Sequence, residues 1–223
     1  MSKPFSIAID GPAGAGKSTV AKAVARDLGA MYLDTGAMYR AFGLAILRMG
    51  IEPRDRARVA EQVKDIDVGV RFVDGAQHIF LGDEDVTGDI RSPEVSAAAS
   101  AVSAAPEVRR RMVEMQRAIA AGHSVVMDGR DIGTDVLPNA TLKIYLTASA
   151  EERARRRFLE MQEKGQAGSY EQVLADIQAR DWQDMHRAAS PLRVAEGAVE
   201  LDSSAMDQAQ VVRAVIDMAR RVI

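Results

Sequence analysis

The segment Gly11-Pro12-Ala13-Gly14-Ala15-Gly16-Lys17-Ser18-Thr19 fits the pattern G-x-x-x-x-G-K-[ST] between Gly11 and Ser18. Glycines at these positions let the backbone curl, so that its amide hydrogens converge on a phosphate. Lys17 can neutralise β- and γ-phosphate charge, and Ser18 can ligate magnesium. The loop runs into residues with apolar side chains at helical spacing, Val20, Ala21, Val24, Ala25 and Leu28, closed by Gly29. A helix N-terminus at that point adds a field that favours an anion. An apolar run over 5–10 precedes the loop. Strand, loop and helix in this order separate a phosphate-binding loop from a glycine-rich turn that contains a lysine by chance.

Such a loop serves GTPases, ATPases and small-molecule kinases alike. A guanine-reading N-K-x-D element is excluded, because the sole asparagine, Asn139, is followed by Ala140. Asp85-Val86-Thr87-Gly88 matches D-x-x-G but lies in a β-rich segment of different character, and reads as coincidence. Arginines near strand ends are the next candidates. Asp34-Thr35-Gly36-Ala37-Met38-Tyr39-Arg40 follows a short strand candidate at 31–33. In doubly wound sheets ligands bind beyond the carboxyl ends of strands, where Arg40 can pair with a phosphate through two N–H bonds. Taken alone, Arg40 reads equally as a surface helix arginine. Gly129-Arg130-Asp131 follows the apolar run 124–127 by the same logic, as a binding pair or as a structural salt bridge. Arg180, Asp184 and Arg187 stand at i, i+4 and i+7 and share one helical face, which in isolation reads as a self-paired charged face. Arg153, Arg156 and Arg157 precede a turn flanked by Gly165 and Gly168, an arrangement suited to a mobile lid over ATP phosphates.

These residues need a frame. Short apolar runs at 5–10, 31–33, 124–127, 142–146 and 199–201 alternate with helical patterns at 17–28, 36–49, 106–120, 150–164 and 170–187. Alternation of this kind implies a parallel sheet with helices on both faces. Between 61 and 99 the pattern changes to β-like pieces at 68–73, 78–81 and 84–87, with an Asp74-Gly75 hairpin turn. The expected organisation is a core at 1–60 and 100–223, a small inserted subdomain at 61–99, and a lid at 153–168. Ser92-Pro93-Glu94 signals a helix start, and Ser204-Ala205-Met206-Asp207 resembles a capping box for the last helix.

With 223 residues, 47% apolar and 27% charged, the chain is long enough for one substantial core. A net charge of −3 argues against general nucleic-acid binding. The absence of cysteine removes disulfides, thiolate metal sites and a thiol nucleophile, and fits a reducing cytoplasm. From the first residues neither a signal peptide nor a membrane span is expected.

Beyond single motifs, the series IDGPAGAGKST, LDTGAMYR, the segment 100–109, MDGRDIGT, KIYLTASAEERARRR, QEKG and RDWQDMHRAASPL resembles the bacterial cytidylate kinases, in order, from Ile7 to Leu192. The resemblance implies a P-loop nucleoside monophosphate kinase fold: a five-stranded parallel sheet flanked by helices, an inserted monophosphate-binding subdomain and a lid. It implies transfer of the γ-phosphoryl group of ATP to CMP or dCMP, with Mg2+, in a cytoplasmic monomer. It assigns Ser100, Arg109 and Asp131 to cytosine, Arg40, Arg130 and Arg187 to the CMP phosphate, Arg180, Asp184 and Thr35 to the sugar side, and Arg153 and Arg157 to ATP. Lys17, Arg130 and Arg187 are the expected catalytic residues, and Ser18 the metal ligand. A carboxylate at 131 suits the cytosine N4 donor. Because a monophosphate is largely ionised at neutral pH, with its second pKa about 6, no catalytic base is needed, and His78, His123 and His186 are expected to be surface residues. The rival readings are a P-loop kinase for UMP or for a metabolite such as shikimate, a nucleotide-binding module without catalysis, and a phosphate-dependent interaction protein.

Overall fold

The computed structural model describes residues 4–163, 165 and 167–223. Five parallel strands form the central sheet: β1 (Ser6–Asp10), β2 (Met31–Asp34), β6 (Val125–Gly129), β7 (Leu142–Thr147) and β8 (Val199–Asp202), in the order β2-β6-β1-β7-β8. A second sheet is a meander of β3 (Val68–Val73), β4 (Ala76–Leu81) and β5 (Glu84–Asp85). The helices are α1 (Lys17–Leu28), α2 (Thr35–Arg48), α3 (Arg56–Glu61), α4 (Pro93–Val102), α5 (Pro106–Ala120), α6 (Ala150–Glu163), α7 (Tyr170–His186) and α8 (Gln208–Arg220). The expected parallel α/β architecture is therefore present. By internal packing the chain divides into Met1–Ala30 with Ser124–Ile223, and Met31–His123. The second unit is wider than the 61–99 insert and takes in α2, α4 and α5.

In the first unit, Ile7, Ala8 and Ile9 of β1 and Val125, Val126 and Met127 of β6 are fully buried. Continuous apolar runs of this kind belong to strands covered on both faces. Each isoleucine side chain removed from water contributes about 2 kcal/mol. The register pairs Ile9 with Asp128 and Asp10 with Gly129, so β1 ends on Asp10 and β6 carries Asp128 one residue before its end, at the same edge of the sheet. Helix α1 buries Val20, Ala21, Val24 and Ala25 and ends at Gly29, which is left-handed at φ 62°. Helix α8 buries Val211, Val215 and Ala219 and is tied to α1 by Arg220–Asp27 at 2.7 Å. Its capping box starts at Asp207, not Ser204: Asp207 accepts from the Gln210 amide and Gln210 returns the bond. Ser204 instead donates its hydroxyl to Asp202 at 2.6 Å, turning the chain out of β8. Helices α6 and α7 pack through Ala154, Val173 and Ile177, with Phe158 edge-on to Tyr170. Of the expected lid at 153–168, Lys164 and Gln166 lie outside the described residues.

In the second unit, Asp34 caps α2 by accepting from the Ala37 amide at 2.8 Å. The turn between β3 and β4 places Asp74 and Gly75 at positive φ, 51° and 76°, as the Asp-Gly signal requires. Helices α2 and α4 approach closely at Gly43, where an added Cβ would sit 2.8 Å from the Ala99 backbone nitrogen. Ser92 caps α4, and Pro106 occupies the first turn of α5, as the sequence signals indicate.

Candidate active site

At the end of β1 the chain enters the glycine-rich loop. A side chain at Gly11 would drive its Cβ to within 2.0 Å of the Leu146 carbonyl oxygen of β7, so only glycine lets the loop leave the sheet here. Asp10, just before it, is 3% exposed. Its carboxylate accepts from the Ile132 and Gly133 amides at 2.8 and 2.7 Å, which ties the end of β1 to the turn carrying Arg130 and Asp131. Burial pushes the Asp10 carboxyl up to about 6, against the pull of those two amides.

Lys17 is buried, and its Nζ donates to the Pro12 carbonyl at 2.6 Å. Burial lowers its pKa well below the usual lysine range, and Arg130 pushes the same way, while Asp128, Asp184 and Asp10 oppose. An anion entering the loop would relieve both effects by pairing with the ammonium. Ser18 Oγ donates to Asp128 Oδ2 at 2.7 Å. A loop hydroxyl beside a strand-end carboxylate is the oxygen donor set with which P-loop enzymes hold Mg2+. No cluster of three potential metal-ligating side chains exists among the described residues.

Beyond β6, Arg130 Nε donates to Asp184 Oδ2 at 2.8 Å, and Arg180 Nε reaches the other oxygen at 3.4 Å. Burial raises the Asp184 carboxyl, but Arg130 and Arg180 outweigh it and hold the group below the usual range. Arg187 lies 3.6 Å from Asp131 Oδ1 and donates to the Ser190 carbonyl. Five residues from two sequence motifs are thus drawn into neighbouring networks. The three α6 arginines expected to serve a lid take separate partners. Arg153 is buried, Arg156 holds the Ser203 carbonyl at 2.7 Å, and Arg157 is exposed and paired with Glu160. Between this helix, Gly14 to Gly16 of the loop, and Ser203 to Gln208 lies a recess of about 540 Å³.

In the second unit, Thr35 is buried at the start of α2, and Arg40 pairs with Asp34 at 2.9 Å. Arg40 Nε is buried and makes no hydrogen bond. Arg109 is buried on α5 with its guanidinium 5.8 Å from the Tyr39 ring centre. It donates to the Ser103 carbonyl at 3.4 Å, and the Ser103 hydroxyl donates to the Ser100 carbonyl at 2.8 Å, so Ser103 links Arg109 to the backbone of Ser100.

The family model for cytidylate kinase matches residues 7–221. The chain belongs to the cytidylate kinase family. It is 52% identical to a cytidylate kinase of Caldicellulosiruptor bescii, over 99% of this chain and 98% of that protein. A cytidylate kinase of Mycolicibacterium paratuberculosis is 51% identical over 99% and 97%, and one of Streptococcus sanguinis 47% identical over 99% and 99%. A solved structure of an uncharacterised protein from Eubacterium ventriosum superposes with a TM-score of 0.51 at 15% identity, over 97% of this chain and 96% of that one, which speaks to fold alone.

For this cytidylate kinase family member, sequence reading passed over three acidic residues that the structure puts at the site. Asp128 was visible only as a strand end, although a carboxylate closing a strand beside a phosphate loop is itself a signal. Asp10 carried no signal beyond its place before Gly11. Asp181 lay unremarked between Arg180 and Trp182. The histidines have partners of their own: His186 stacks on Trp182, which is 65% exposed, His78 pairs with Asp85, and His123 contacts the Ala121 carbonyl.

Proposed function

We propose that this chain transfers the γ-phosphoryl group of ATP to CMP or dCMP, giving CDP or dCDP and ADP, with the following division of labour. The loop amides of 11–18 and Lys17 hold the donor phosphates. Mg2+, held by Ser18 and Asp128, would draw charge from the β- and γ-phosphate oxygens. Arg130 and Arg187, with Arg40, hold the acceptor phosphate, and Asp184 keeps Arg130 and Arg180 aligned beside the sugar. Asp131, Ser100 and Arg109 read cytosine, the carboxylate by accepting from its N4 amino group. Thr35 keeps a hydroxyl near the sugar. Arg157 closes over ATP from α6, and the recess beside Gly14 to Gly16 seats the donor nucleoside.

The acceptor oxygen is already ionised, so the protein supplies position and charge in place of a base. Lys17 and the arginines offset the repulsion between two anions as they approach. Exclusion of water by the lid keeps ATP from being hydrolysed. A cytoplasmic monomer is the proposed working form.

The observation that carries this reading is the pairing of Ser18 with Asp128 beside Lys17, in the same unit as the Arg130–Asp184–Arg180 network. ADP release is measured from ATP and Mg2+ with CMP, dCMP, UMP, AMP or GMP supplied singly. Strong turnover with CMP and dCMP alone is expected. Preference for another acceptor would overturn the cytosine assignment and leave the loop chemistry standing.

A further inference from the structure

The sequence places Arg153 among residues that meet ATP, yet its surroundings are those of an internal strut. It is 4% exposed, and each of its three side-chain nitrogens has a protein acceptor. Nε donates to the Ala148 carbonyl at 2.9 Å, one terminal nitrogen to the Ala13 carbonyl of the phosphate loop at 2.9 Å, and the other to Asp181 Oδ2 at 2.6 Å. Its Cβ lies 3.4 Å from where a side chain at Gly14 would begin. Asp181 is on α7, one residue after Arg180 and three before Asp184. Its side chain is 13% exposed, and its second oxygen is buried without a hydrogen bond. A carboxylate that gives up water for a single strong partner is costly unless the geometry it fixes is used.

We propose that Arg153 and Asp181 form a positioning pair that fixes the loop segment at Ala13 and Gly14 against α7, and so sets the donor phosphates relative to the residues that hold the acceptor. Arg153 borders the recess beside Gly14 to Gly16, but its three nitrogens are committed to protein acceptors, so the pair works by position and not by a bond to either nucleotide. It acts through the loop backbone on one side and through Arg180 and Asp184 on the other. In-line transfer makes this distance matter, because a misplacement of about 1 Å can cost on the order of a hundredfold in rate. Arginine suits the task, since its planar fork reaches two acceptors in fixed directions, and lysine cannot hold both. The proposal rests on the reading of the loop as donor site and of α7 as acceptor side.

The test uses the full-length protein. Wild type, Asp181→Asn, Asp181→Glu and Arg153→Lys are compared for kcat, for the KM of ATP and of CMP separately, and for thermal midpoint. Asp181→Asn keeps the volume and removes the charge. Its kcat is expected to fall by about tenfold or more, with both KM values within about twofold of wild type, the pattern of lost transition-state alignment. Arg153→Lys should behave the same way, and Asp181→Glu should recover most of the loss. A raised KM for ATP alone in Arg153→Lys, with full kcat in Asp181→Asn, would make Arg153 an ATP ligand and overturn the proposal. A lowered thermal midpoint with unchanged kcat in the folded variants would also overturn it, leaving a purely structural pair. Failure of the wild type to phosphorylate CMP would sink the functional reading itself, a separate result from either.

Discussion

Lys17 is held by a carbonyl of its own loop, in surroundings that disfavour its charge. A phosphate in the loop would reverse that balance, which supports the proposed ligand role over a stabilising one. Lys17→Ala should therefore lower kcat by about three powers of ten, in line with the loss of a charge-stabilising group, while its thermal midpoint stays at or above that of wild type. An active Lys17→Ala enzyme would remove the assignment. Asp128→Asn keeps the bond to Ser18 in shape but weakens the oxygen pair, and should raise the Mg2+ concentration for half-maximal rate by about tenfold or more. Titration of activity with Mg2+ reads this directly. Asp131→Ala should fold and lose discrimination between CMP and UMP, as measured by the ratio of kcat/KM values. All three residues sit at strand ends or on the loop, where sequence order alone is informative. Asp10 and Arg153 were not legible in this way, because their partners lie 122 and 28 residues distant.

Among the elements, those with strong local signals were readable almost to the residue. Helix α5 begins at Pro106 and α1 ends at Gly29, because proline without an amide hydrogen and glycine at positive φ each mark a boundary chemically. The last helix was displaced by one cap: both Ser204 and Asp207 are cap formers, and only the capture of Ser204 by Asp202 decides between them. The short α3 gave no readable periodicity in six residues. Close helix approach is the element-scale constraint with the clearest consequence. Gly43→Ala would put a Cβ 2.8 Å from the Ala99 nitrogen, and neither backbone can yield without separating α2 from α4. Urea unfolding should show a loss of about 1–3 kcal/mol, the usual cost of overpacking.

Over the whole molecule, stability should carry the signature of Asp10. Its pKa is about 6 in the folded chain against 3.8 in the ordinary state, so folding favours its protonated form. That contribution is present in full below about pH 4 and is lost as pH rises through about 6, an interval worth about 3 kcal/mol. The stability difference between wild type and Asp10→Asn, followed by urea unfolding from pH 4 to 7, should shift against wild type by an amount of that order. A constant difference would show that Asp10 does not titrate differently on folding. The division at 30/31 and 123/124 belongs to this scale too, with the β-rich segment 61–99 lying inside the second unit. No helix among the described residues is long and apolar enough to cross a membrane.

By itself the sequence determined the phosphate loop, the alternation that yields a parallel sheet, and the family, because each is written in contiguous residues whose chemistry is local. Only the tertiary structure decided which charges are paired and which are buried. It put Asp128 on Ser18, Asp184 between two arginines, and Arg153 inside the protein. A charge's role depends on the dielectric around it and on partners brought from distant segments, and neither is encoded in its neighbours along the chain.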